Sequence, residues 1–158
     1  MGYDSTADTK KHIARVGELL EFAQGELTIR AKNHDASKLN SPEKELFDEY
    51  TPKLAGSTYG SDEYKTFLSG LKVALDHHYA SNSHHPEHFK GGIDDFDLFD
   101  LLEMFFDWKA ATERHNDGDI MKSIEINKTR FKLSDQLCSI FRNTATRYFD
   151  VWGYGRIK

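Results

Sequence analysis

Asp97-Leu98-Phe99-Asp100-Leu101-Leu102-Glu103-Met104-Phe105-Phe106-Asp107-Trp108-Lys109-Ala110-Ala111-Thr112-Glu113-Arg114-His115-Asn116 is the densest apolar stretch of the chain. Its apolar side chains surround most of the circumference of a 3.6-residue helix, and a helix apolar on most sides belongs at the centre of a fold. The polar exceptions are ordered. Asp100, Glu103 and Asp107 recur at steps of three and four, which puts three carboxylates on one side, and Ala111 and Arg114 extend the same line. Unpaired acids at the centre of a core are costly, so the line calls for partners. Asp100 alone reads as a surface or first-turn acid.

Outward from this helix the pattern stays helical. Toward the N-terminus, a first helix starts near Ser5 or Thr6 and carries His12, Val16, Leu19, Leu20, Ala23 and Leu27 at three- and four-residue steps, so His12 is expected on a buried stripe. Asn33 and His34 mark its end. Ser41 and Pro42 offer an N-cap and a first-turn proline for a second helix with Glu43 and Glu45 as early acids. Pro52 limits or bends that helix before the loop Gly56-Ser57-Thr58-Tyr59-Gly60. Ser61 caps a third helix whose apolar positions, Tyr64 to Leu75, continue in register to His78, with His77 turned about 100° away.

Beyond the central helix, Asp117-Gly118 is a break, and the apolar positions from Ile120 to Tyr148 describe one or two closing helices, Ser134 capping the second. No β alternation, repeat or interdomain linker interrupts the series. The expectation is an all-α, single-domain bundle of about five to six helices. It spans residues 1–158, with a core over about residues 6–149 and a C-terminal tail over 150–158.

Charge and cysteine content narrow the function classes. The 158 residues carry a net charge of −5 with acids and bases interleaved, which points away from a general nucleic-acid or membrane surface; a small anionic ligand needs a local basic pocket. The lone Cys138 rules out an internal disulfide and a cysteine-based zinc site and suits a reducing cytoplasm. No stretch reaches the roughly 20 apolar residues of a membrane span, and the polar segment from Met1 to Lys11 lacks the apolar centre of a signal peptide. Nothing in the sequence sets the oligomeric state.

The metal-binding residue types are concentrated. Of the 8 histidines, His77, His78, His84, His85 and His88 fall within Leu75–Gly92, a segment that turns from helix to a loop rich in Ser, Asn, His, Pro and Gly. Carboxylates and imidazoles brought from several helices can hold a divalent metal in a bundle interior. His12, His34, Asp35, His78, His84, His85 and Asp107 supply such groups on almost every element. His77, His88 and His115 read as solvent-facing or supporting residues.

In that order the residues resemble a known family. His12 on a helix, the adjacent His34-Asp35 and the later helical Asp107 look like the H…HD…D signature of the HD-domain metalloenzymes. His34-Asp35-Ala36-Ser37-Lys38 is similar to the His-Asp-x-x-Lys form of the HD-GYP phosphodiesterases, and His78 with His84-His85 looks like the further histidines by which that branch binds a second metal. The segment from His84 to Gly92 lacks the Gly-Tyr-Pro element, so cyclic-dinucleotide specificity does not transfer. Glu103 to Lys109 also resembles small HD-like proteins of bacteria and their phages.

The resemblance implies that His12, His34, Asp35 and Asp107 hold one metal and that Asp35 bridges to a second held by His78, His84 and His85. Two cations about 3.5–4 Å apart lower the pKa of a bridging water, polarise a phosphoryl oxygen and stabilise the leaving oxygen. Asp35 and Lys38 are then the catalytic candidates, Lys38 and Arg114 the phosphate-binding ones, and Glu103 orients a ligand or water. The expected function is a phosphohydrolase using two divalent transition metals (iron, manganese, cobalt, nickel or zinc) on a nucleotide or other small phosphoester. A di-iron oxygenase, and a binding protein whose metals only staple the bundle or sense a nucleotide, are the competing readings.

Overall fold

The computed structural model describes residues 3–57, 61–114 and 118–150. Among them are seven α-helices and no strand: α1 Thr6–Asn33, α2 Glu43–Gly56, α3 Asp62–Gly70, α4 Lys72–Ser81, α5 Leu98–Thr112, α6 Ile120–Phe131 and α7 Asp135–Ala145. The all-α expectation holds. Thr58, Tyr59 and Gly60 of the expected loop, His115, the expected break at Asp117 and the tail from Val151 onward lie outside the described residues. No described helix is long and apolar enough to cross a membrane.

The chain divides after Ala36 into two units. The first consists of α1 and the residues that end it. His34 closes the helix by donating its backbone N–H to the Arg30 carbonyl, and Asp35 then turns the chain with a left-handed φ of 56°. The stripe through His12 is not buried as expected, since no residue of α1 is buried. A unit with a single helix has no second surface of its own to cover an apolar face.

The second unit holds the core. Met104, Phe105 and Trp108 of α5 pack with Ile120 and Ile124 of α6 and with Cys138, Phe141 and Ala145 of α7. The ring of Phe105 stacks on Phe141 at 5.1 Å between centroids, and Trp108 lies parallel to Phe131. The caps are explicit. Asp97 accepts from the N–H groups of Phe99 and Asp100 to start α5, Asp119 accepts from Met121 and Lys122 to start α6, and Ser134 accepts from Leu137 to start α7. Each satisfies N–H groups that a helix start leaves without partners.

Three local expectations are corrected. The third helix is two, because Gly70 leaves room for the ring of Tyr50: a Cβ there would lie 2.4 Å from a ring carbon. The helix yields at this glycine, Leu71 is buried at the joint, and α4 restarts at Lys72. Helix α2 starts at Glu43 with no side-chain cap from Ser41, and it continues through Pro52 to Gly56. Helix α5 ends at Thr112, so Arg114 sits in the following turn and does not continue the acidic line.

Helix α6 ends at Lys132, which adopts a left-handed φ of 55° and donates its N–H to the Lys128 carbonyl. Leu133 donates to the same carbonyl at 3.1 Å. This is the position where glycine is favoured, because a Cβ opposes the left-handed conformation. Lys132→Gly is expected to stabilise the protein by about 1 kcal/mol, read as a higher urea midpoint at unchanged slope.

Candidate metal centre

The site in the second unit grows from a buried carboxylate. Glu43, the first residue of α2, is 0 % exposed. One of its oxygens lies 2.7 Å from Nδ1 of His77, the other 2.9 Å from Nδ1 of His78. An ionised carboxylate only accepts hydrogen bonds, so both imidazoles present Nδ1–H to it. Burial pushes the Glu43 carboxyl up, but hydrogen bonds from His77 and Ser37, with the charge and hydrogen bond of His78, outweigh this and hold it below the usual carboxylate range.

In its neutral form with the proton on Nδ1, the His78 ring has a lone pair on Nε2. That nitrogen stands 2.9 Å from Nε2 of His85. His84 repeats the arrangement: its Nδ1 is 3.1 Å from an oxygen of Glu103, and its ring centroid is 4.2 Å from that of His85. His78 and His84 are each 2 % exposed. Each of the three histidines offers a ring nitrogen, and these nitrogens all lie within 4.8 Å of one another. Carboxylates behind the rings and nitrogens converging in front form the pattern in which an outer acid orients a metal-binding histidine.

The loop that carries His84 and His85 is pinned to the helices on both sides. Asn82 donates to the His78 carbonyl at 2.8 Å and to the Ser37 hydroxyl at 2.8 Å. Ser83 donates to Asp100 at 2.6 Å, whose other oxygen accepts the Asp97 N–H at 3.3 Å. Asp100 is therefore a first-turn acid but not a surface one: it is 3 % exposed, its burial compensated by these donors. The loop's 3₁₀ turn at Gly92–Asp95 begins on a left-handed Gly92.

The other expected residues fall as follows. In the first unit, His34 and Asp35 approach each other to 3.6 Å between Nε2 and a carboxylate oxygen, and His12 is exposed along α1. In the second, the ammonium of Lys38 lies 5.8 Å from the ring centre of Phe47. Arg114 is exposed. The Nδ1 of His88 donates to the Tyr79 carbonyl at 2.9 Å. Asp107 lines a cleft of about 500 Å³ with His85, Trp108, Lys122, Asn127 and Arg130. Arg114 and Lys38 do not line it, and its cations come from α6.

Sequence reasoning missed Glu43, Lys122 and Arg130. Glu43 read as an ordinary first-turn acid, and nothing local to it signals that its carboxylate turns away from the helix end toward α4. Lys122 and Arg130 belong to a helix that otherwise shows only core spacing and surface charge. The Asp97-x-x-Asp100 spacing did carry a signal, that of a reciprocal helix cap.

The chain belongs to DUF5662, a family of unknown function, which matches it over residues 1–147. No curated protein and no solved structure matches it.

Glu43→Gln leaves one of the two imidazole N–H groups facing an amide NH2. At pH 7 it is expected to cost roughly 1–3 kcal/mol, measured by urea unfolding. Because the folded carboxyl titrates below its unfolded value, its contribution is full above about pH 4.5 and is lost as pH falls through the depressed value. The gap between variant and wild type should therefore narrow at pH 3.

Proposed function

We propose that this chain is a metal-dependent phosphohydrolase of the cytoplasm, acting on a nucleotide or another small phosphoester. The observation that carries the reading is the 2.9 Å approach of the His78 and His85 Nε2 atoms, with the far nitrogens of His78 and His84 turned onto Glu43 and Glu103. Two nitrogens bound at right angles to one cation, each about 2.1 Å from it, stand about 3.0 Å apart. The donor set of imidazoles with nearby carboxylates suits iron, manganese, cobalt, nickel or zinc.

The rest of the ligand set rests on the sequence pattern and its resemblance to HD-domain enzymes: His34, Asp35 and Asp107 for one ion, and Asp35 shared with the ion held by His78, His84 and His85; His12 leaves the set, because the unbroken helix Thr6–Asn33 puts it about 30 Å from His34. Bound divalent cations would supply an acidified water and a polarised phosphoryl oxygen. The protein's own groups do the positioning. Glu43 keeps the His78 proton on Nδ1, Glu103 does the same for His84, and Lys38 offsets phosphate charge while water displaces the leaving alkoxide, which takes up a proton. The left-handed backbone at Asp35 is the kind of local strain that gathers at working sites. Cys138, a buried free thiol, fits a reducing compartment.

The test is to strip the protein with chelator, reload it with each of the five metals, count bound ions by mass spectrometry and assay phosphate release from a panel of nucleotides and phosphoesters. Turnover is expected with up to two ions bound. His78→Ala and Asp35→Asn should each weaken metal binding and turnover at least tenfold while melting stays cooperative; Asn is chosen because it tolerates the left-handed backbone. Full metal loading with no phosphate released from any compound would sink the reading, and an iron pair that reacts with oxygen would replace it with oxygen chemistry.

A further inference from the structure

Helix α1 carries an apolar seam that nothing in its own unit covers. Ile13, Val16, Leu20, Ala23 and Leu27 follow one another at alternating steps of three and four, the heptad spacing of a coiled coil. Ile13, Val16 and Leu20 are 64, 40 and 66 % exposed, and no residue of the helix is buried. A helix about 42 Å long draws most of its stability in water from packing of its apolar face, so this one calls for a partner. Its two interior glycines point the same way, because glycine weakens a helix. A Cβ at Gly17 or Gly25 would meet nothing within 4 Å, so no neighbour among the described residues requires either to be glycine.

Charge along the helix indicates what the partner is. Residues 10–15 hold the cations Lys10, Lys11 and Arg15 and no acid, while residues 16–26 hold Glu18, Glu21 and Glu26 and no cation. Arg15 pairs with Glu18 at 2.6 Å and Arg30 with Glu26 at 3.1 Å, but Lys10, Lys11 and Glu21 make no ion pair among the described residues. A parallel second copy of α1 would stack like charge on like and align the two helix dipoles. An antiparallel copy sets each basic segment beside an acidic one and opposes the dipoles.

One antiparallel register serves both the seam and the charges. With a two-fold axis beside residue 18, Val16 lies opposite Leu20 of the second copy and Ile13 opposite Ala23, each layer occurring twice as a closed two-fold interface requires. The same register brings Lys10 level with Glu26 of the second copy and Arg15 level with Glu21. Gly17 then meets its own counterpart beside the axis, where the missing side chains let the two backbones come close. We infer that α1 pairs with α1 of a second copy of this chain as a two-stranded antiparallel coiled coil. The inference does not depend on the phosphohydrolase reading, since no residue of the seam belongs to the metal ligand set.

The experiment is sedimentation velocity on the full chain over a concentration series reaching the submillimolar range. Wild type is compared with Leu20→Glu and with Val73→Glu, a control on α4 at a position 61 % exposed. Both positions are exposed, so both variants should melt as wild type does. Wild type and Val73→Glu are expected to form a reversible dimer. Leu20→Glu should weaken it at least about 100-fold, since one substitution removes two apolar contacts from each dimer. Helix direction is read by mixing Val16→Cys and Leu20→Cys chains, oxidising them and weighing the products. The antiparallel register predicts disulfides mainly between unlike chains, whereas a parallel pair links like with like; Cys138 is buried and does not compete. A wild-type monomer throughout the series, the outcome expected if a different molecule covers the seam, overturns the inference. So does a dimer that survives Leu20→Glu or is lost equally in Val73→Glu, and so do disulfides formed only between like chains.

Discussion

A fully buried carboxylate receiving two imidazoles from consecutive positions of one helix is the constraint around which the second unit's site is arranged. Glu43 lies at the start of α2, and His77 and His78 lie near the end of α4. An acid with no exposed surface would be expelled or neutralised without donors. Here the two ring N–H groups and the Ser37 hydroxyl supply them. The same bonds that make the burial tolerable fix the ring orientation and tautomer of His78, and so decide which nitrogen it turns toward His85. Fold and candidate chemistry thus share one interaction.

Much of the fold was legible because helices announce themselves through periodicity and through their ends. Ser61 and Ser134 cap the helices their positions suggest, and the apolar stretch from Leu98 to Trp108 does form the helix that anchors the core. The misreadings share a cause. The joint at Gly70 depends on the Tyr50 ring from another helix, and the burial of Asp100 depends on a serine in a distant loop. Neither neighbour is written in the local pattern.

The candidate site divides along the same line. The histidines could be singled out by type, since imidazoles are scarce and five of them fall together. His78 could be preferred over His77 by helical angle, and their side-chain exposures of 2 % and 44 % follow that order. The supporting acids are harder to see. Glutamates are common on helix surfaces, and only tertiary placement sets Glu43 apart from Glu45. Lys122 and Arg130 likewise gain meaning from the cleft and from nothing in their immediate sequence.

The left-handed turn at Asp35 narrows the amino-acid alphabet available there. A φ of 56° is cheap for glycine and tolerable for asparagine and aspartate, and it penalises other side chains. Of those three residues only aspartate brings a negative charge. Glutamate, which offers the same carboxylate one methylene further out, is disfavoured by the backbone before any question of chemistry arises. The backbone alone thus confines any acid at this position to aspartate.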